Sequence, residues 1–149
     1  MIAATTLLSS CTSTPTLNEP DEASLGRSKL SPIEFCRISG KEEYLARLVC
    51  ESGDPIEVGQ RGNVGPRTET KSNATQEEVR EMIRRNLLYS TPATGEPDYH
   101  IVDVYPVKCG TRVRFVYLDM YHCDKPAPTN APRGFKIRPI QPYRCQGDG

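Results

Sequence analysis

The chain has no tryptophan, three phenylalanines and two histidines in 149 residues. It also lacks net charge, since 19 Lys and Arg balance 19 Asp and Glu. A neutral chain makes a poor nucleic-acid binder, because that affinity comes mainly from neutralising phosphates, so no nucleic-acid partner is expected. No run approaches the roughly 18 apolar residues that a membrane span needs. No C-x-x-C pair occurs and histidine is scarce, so no zinc motif is signalled and neither a metal nor a cofactor is expected. Leu, Ile, Val and Phe make up about a fifth of the chain, near the level below which chains stay disordered. Zero net charge works against disorder. What remains is one domain with a modest core and long tails.

Cysteine and proline are what the chain does have, 6 and 13 respectively. The cysteines are Cys11, Cys36, Cys50, Cys109, Cys123 and Cys145. Scattered cysteines in a proline-rich chain with a lean core read as disulfides, which implies an oxidising compartment. The competing reading is buried free thiols in a reducing one.

The first residues, Met1 to Ser10, are a short apolar run leading into small residues, the end of a secretory signal. Leu8-Ser9-Ser10-Cys11 resembles the lipobox of bacterial lipoproteins, an aliphatic residue and two small ones before Cys. The resemblance covers four residues. It implies cleavage before Cys11, palmitate-type lipid on that cysteine, and a polar tether after it. Ser13 rather than Asp at the second position after Cys11 implies the periplasmic side of the outer membrane. The first basic residue is Arg27, so residues 1–10 read as the remnant of a signal whose start lies further upstream. With Cys11 lipidated, the other five cysteines supply at most two bridges.

Four segments follow: the signal remnant 1–10, the lipidated tether 11–31, one folded domain 32–123, and a proline-rich extension 124–149. Within the folded unit, 34–39 reads as a strand, Ser39-Gly40 as a turn and 44–50 as a strand apolar on both faces. Residues 56–58 read as a short return strand and 59–66 as an irregular glycine loop. That loop matches neither phosphate-binding fingerprint. Thr75-Gln76-Glu77-Glu78 has capping-box form, and Val79, Met82, Ile83 and Leu87 make one helical stripe over about 75–90. Two β-rich runs, 99–108 and 111–122, flank a tight turn at Gly110. The expected fold is α+β: an antiparallel sheet of four to five strands packed against that one helix, stapled by disulfides, with an irregular proline-rich C-terminal tail.

The hairpin constrains the bridges. Cys109 at its tip and Cys123 at its open end are separated by roughly 36 Å of strand, too far for a disulfide. Cys50 and Cys109 each end a strand before a turn and can meet at one sheet edge. Cys123 can pair with Cys145 if the tail folds back, and Cys36 with Cys50 is the rival.

A two-residue turn makes residue numbers across the hairpin sum to about 221. His100 then faces Tyr121 and His122 faces Tyr99, with the histidines on opposite faces of the sheet. They read as polar caps at a strand end; a one-residue shift of register instead aligns them with Asp119 in an acid–base or metal site. Tyr99, Tyr105, Tyr117, Tyr121 and His122 are the candidate recognition surface, since tyrosine offers large, stiff contact area. Arg133, Lys136, Arg138 and Arg144 read as a solvated basic arm.

The functional expectation is a non-catalytic binding module, lipid-anchored in the cell envelope, with an envelope or secreted protein as partner, such as an inhibitor or immunity protein. One alternative is a structural component of an envelope or secretion complex. The other is a small envelope hydrolase using His100 or His122 with Asp119.

Overall fold

The computed structural model describes residues 23–140. Lipidation at Cys11 and any bridge using Cys145 lie outside the described residues. The described residues are α+β, with two helices and a mixed five-stranded sheet.

The sheet is organised by one hairpin. β5 (Ile101–Cys109) and β6 (Arg112–Asp119) pair antiparallel from Val102 opposite Asp119 to Cys109 opposite Arg112. Every pair sums to 221, the expected register. Gly110 turns the chain at φ +59, a conformation that costs glycine nothing. Alternation then sorts the side chains. Tyr105, Val107, Val116 and Leu118 enter the core, while Val113 and Phe115 stay exposed on the opposite face.

Shorter strands complete the sheet. β3 (Glu57–Val58) and β4 (Gly62–Pro66) both pair antiparallel with β5. β4 corrects the expectation of an irregular loop over 59–66: its hydrogen-bond partner is distant in sequence, so no local pattern announces it. β1 (Ile33–Glu34) runs parallel to β6, so the sheet is mixed, not wholly antiparallel.

The helices revise the layer packing. α2 (Gln76–Asn86) has the expected box: Glu78 N–H donates to Thr75 Oγ1, and Thr75 N–H donates to the Glu78 carboxylate. Yet no α2 residue is fully buried, and Ile83 and Leu87 are exposed. The helix that enters the core is α1 (Arg37–Arg47), where a turn and a strand were expected. Its Tyr44 is buried, packs edge-on against Phe35 at 5.0 Å and donates its hydroxyl to the Asn130 carbonyl at 2.7 Å. Only the last part of the expected strand is extended, as β2 (Leu48–Cys50).

Two disulfides close the structure, Cys50–Cys109 and Cys36–Cys123. Cys109 and Cys123 are not partners, as the hairpin geometry requires. The Cys36–Cys50 and Cys123–Cys145 alternatives are corrected, because Cys123 is taken by Cys36. They close 59 and 87 residues of chain, where loop-entropy arguments allow about 4 kcal/mol each.

The tails are also part of the fold. β7 (Phe135–Ile137) pairs antiparallel with β2, and Phe135 is buried. The described part of the expected basic arm is therefore anchored, with Arg138 O accepting from Arg47 Nε. On the N-terminal side, Gly26 O accepts from Tyr117 N–H, so residues described from Ala23 onward belong to the folded unit rather than to a tether. The domain is wider than 32–123 because proline forbids long regular elements but not packing.

Candidate functional site

At the open end of the β5–β6 hairpin, four titratable side chains converge: Asp98, His100, Asp119 and His122. His100, Asp119 and His122 are at most 2 % exposed, in a chain with only two histidines. Strand alternation predicts divergence of the histidines. Instead their rings meet edge to face at 5.1 Å.

The correction has a local cause. β6 ends at Asp119, whose Oδ1 accepts the Tyr121 N–H at 3.1 Å and bends the chain out of the pleat. His122 N–H then donates to Phe35 O, and the Cys36–Cys123 bridge pins the next residue. On the other side, His100 precedes β5. Its N–H donates to Asp98 Oδ1 at 3.0 Å, another Asx-type turn. Neither histidine is inside the ladder, so the two-residue period does not govern them.

The outer nitrogen of each ring is committed. His100 Nε2 donates to Leu88 O at 2.7 Å. Thr91 Oγ1 donates to Asp124 Oδ1 at 3.1 Å and therefore accepts from His122 Nδ1 at 3.0 Å. The inner nitrogens face carboxylates. His100 Nδ1 is 2.9 Å from Asp98 Oδ1, off the alignment a hydrogen bond requires. His122 Nε2 is 3.0 Å from Asp119 Oδ2 and 3.8 Å from both Asp98 Oδ2 and Glu34 Oε1.

Basic residues flank the cluster. Arg67 bridges Glu34 and Asp98, and Lys125 also pairs with Glu34. Burial pulls Glu34 upward, but Lys125 and Arg67 outweigh it and hold its carboxyl below the ordinary range. Burial likewise opposes ionisation of Asp98, yet the side chain and backbone N–H of His100, with the Arg67 charge, set it at about 2. Burial lowers His100, and the neighbouring Asp98 more than compensates, leaving it above the ordinary imidazole value.

The five candidate recognition residues do not form one surface. Tyr105 is core, with Lys41 Nζ above its ring at 5.4 Å. His122 is buried in the cluster. Tyr99 and Tyr117 are half-buried. Tyr99 and Tyr117 line two separate clefts, and Tyr121 reaches an open groove of about 490 Å³, lined by Arg37, Ile38, Ser39, Arg61, Tyr89 and Met120 beside it. Tyr121 stacks on His100 at 4.9 Å and lies 5.3 Å from Tyr89, so this groove abuts the cluster.

Sequence reading missed Asp98, Thr91, Arg67, Tyr89 and Arg37. One signal was present: each open end of the hairpin carries an aspartate just before its histidine, Asp98-x-His100 and Asp119-x-x-His122. Comparison of the chain with protein families, curated proteins and solved structures finds no match.

Proposed function

We propose that this chain is a cell-envelope lipoprotein, anchored by lipid on Cys11 at the periplasmic side of the outer membrane. The segment that follows Cys11 is its tether, shorter than the expected 11–31 because Ala23 onward belongs to the folded unit. The folded unit is a non-catalytic binding module for an envelope or secreted protein, in the manner of an inhibitor or immunity protein.

The observation that carries the binding reading is the Arg37–Tyr89–Tyr121 groove. Arg37 sits at φ +62, a left-handed conformation that costs a non-glycine residue about 1–2 kcal/mol. Its N–H donates to Met120 O, and its guanidinium lies 5.3 Å over the Tyr89 ring. Arginine and tyrosine are the side chains that dominate protein interfaces. With Arg61 on the same groove, the surface favours an acidic partner. Two disulfides support an oxidising compartment.

Pull-down from envelope extracts tests the reading, with the native chain against an Arg37→Glu/Tyr89→Ala double variant. A specific partner captured only by the native chain is the expected result. No specific partner together with measurable turnover sinks it. Intact mass spectrometry, with and without reduction, tests the anchor separately: an unlipidated full-length mass with six free thiols overturns the compartment.

A further inference from the structure

We propose that Asp98, His100, Asp119 and His122 form a buried binding site for one divalent transition-metal ion, zinc foremost. One ligand atom from each residue lies within 4.8 Å of the other three. Among these residues, His100 Nδ1 is 2.9 Å from Asp98 Oδ1, and His122 Nε2 is 3.0 Å from Asp119 Oδ2 and 3.8 Å from the other Asp98 oxygen, Oδ2. Ligands around tetrahedral zinc, with bonds of about 2.0 Å, stand about 3.3 Å apart. The set therefore closes on an ion by side-chain adjustment, without rebuilding the backbone.

The hydrogen bonds give the second, independent argument. Each ring is already oriented by its outer nitrogen, His100 by Leu88 O and His122 by Thr91 Oγ1. Such outer partners are the usual means of fixing a metal-binding imidazole. The Leu88 carbonyl can only accept, so the proton is on Nε2. His100 Nδ1 is a buried nitrogen with no hydrogen-bond partner, aimed into the cluster, and is bare whenever the ring is neutral. His122 Nε2, by contrast, donates to the Asp119 carboxylate at 3.0 Å, through a proton that an ion would replace. A lone pair facing a carboxylate at about 3 Å needs a cation between them. Two protons supply that charge, and so does one dication, which also neutralises the buried Asp119 and joins Arg67 in balancing the part-exposed Asp98.

The chemistry of the set selects the ion. Two imidazole nitrogens disfavour magnesium and calcium, and the absence of thiolate among the four disfavours copper(I) and iron–sulfur clusters. Two nitrogens and two carboxylate oxygens suit four-coordinate zinc in a structural site, and the nearby Glu34 carboxylate, 3.8 Å from His122 Nε2, is already held by Arg67 and Lys125. A cavity of about 260 Å³ beside α2 touches Thr91 and His100 and offers an entry path. The ion would cross-link the start of β5 to the chain beyond β6, next to the Cys36–Cys123 bridge. This inference does not rest on the binding-module reading.

The test uses the purified, disulfide-intact chain with any free thiol alkylated, so that no thiolate can compete. After removal of metal with a chelator, zinc chloride is titrated by calorimetry and the melting temperature is followed. Binding of one zinc per chain, with a rise in melting temperature that saturates at one equivalent, is expected. Thr91→Val, which leaves all four ligands in place, is expected to weaken zinc roughly 10-fold or more. His122→Gln, checked for native disulfides and near-ultraviolet dichroism, is expected to abolish stoichiometric binding. Cobalt(II) in place of zinc is expected to give an intense four-coordinate visible spectrum. A folded wild-type chain that takes up no zinc overturns the proposal and leaves two protonated histidines as the cation. Unchanged affinity in a folded His100→Gln/His122→Gln variant, or a weak six-coordinate cobalt spectrum, overturns it too.

Discussion

The two helices have the same length and opposite means of support. α2 is held by its own sequence: a capping box, acidic residues in the first turn, basic ones in the last, and Glu81 bonded to both Arg84 and Arg85. α1 has little of this. Its N-cap is Cys36, which makes no side-chain cap bond, its first residue is left-handed, and Gly40 sits in its interior. Glycine there costs about 1 kcal/mol relative to alanine. What secures α1 is tertiary: Cys36 is bonded to Cys123, and Tyr44 is in the core. The helix that is locally weakest therefore carries the global fold, and the locally strongest one lies at its margin.

The sharpest way to break this contrast is to remove the bridge at the head of α1. In Cys36→Ala/Cys123→Ala the closed loop of 87 residues is released, and a loss of up to about 4.5 kcal/mol is expected. Denaturant unfolding measures it. Hydrogen exchange should show α1 and the His122 turn opening together while α2 amides change little. Equal loosening of both helices sinks the contrast.

Tyr44→Ala comes next. It empties a buried ring site against Phe35 and orphans the Asn130 carbonyl, so about 3–4 kcal/mol of stability is expected to go. Tyr44→Phe isolates the hydroxyl and should cost about 1 kcal/mol. The matched change on α2, Ile83→Ala, removes a side chain that is 53 % exposed and should stay within about 0.5 kcal/mol. Thermal or urea melts of the three variants give the ranking, and a large loss in Ile83→Ala means that α2 is packed against something in solution.

For α2 itself the decisive residue is its cap. Thr75→Ala removes the oxygen that receives the Glu78 N–H, and about 1 kcal/mol of local helix stability is expected to be lost. Exchange of the first-turn amides should accelerate roughly fivefold at that energy, with the core unaffected. Global destabilisation of the core would show that α2 supports the sheet after all.

The same division explains what could be read from the sequence. α2 and the hairpin register follow from local rules, a box and an alternation, whereas Cys50–Cys109 was one of several open pairings and joins strands of two different sheets. α1 was hidden because Ser39-Gly40 has turn chemistry and the run 44–50 is too uniformly apolar to show a period. β4 and β7 were hidden because their partners, β5 and β2, lie far away in sequence. The His/Asp cluster fell between. Its register was legible, yet its geometry depends on two aspartate-led turns outside the ladder, with His100 one residue before β5 and His122 three residues after β6.

The smallest effect separates the helices by pH. Hydrogen bonds from Arg84 and then Arg85 lower the Glu81 carboxyl to about 2. Hydrogen bonds at Thr75, backbone first and then side chain, lower Glu78 as well. A carboxyl whose folded value is depressed stabilises the helix above its unfolded value, near 4.5, and loses that contribution as the pH falls toward 2. Residue-resolved helicity of α2, read from backbone chemical shifts, should therefore be constant above pH 5 and fall between about 4.5 and 2. In Glu81→Gln the fall should shrink to the part due to Glu78. The disulfide and the Tyr44 contacts that secure α1 contain no carboxylate, so its shifts should move less over the same interval. If α1 melts first on acidification, its support is electrostatic, and the distinction between a locally encoded and a tertiary helix does not hold for this chain.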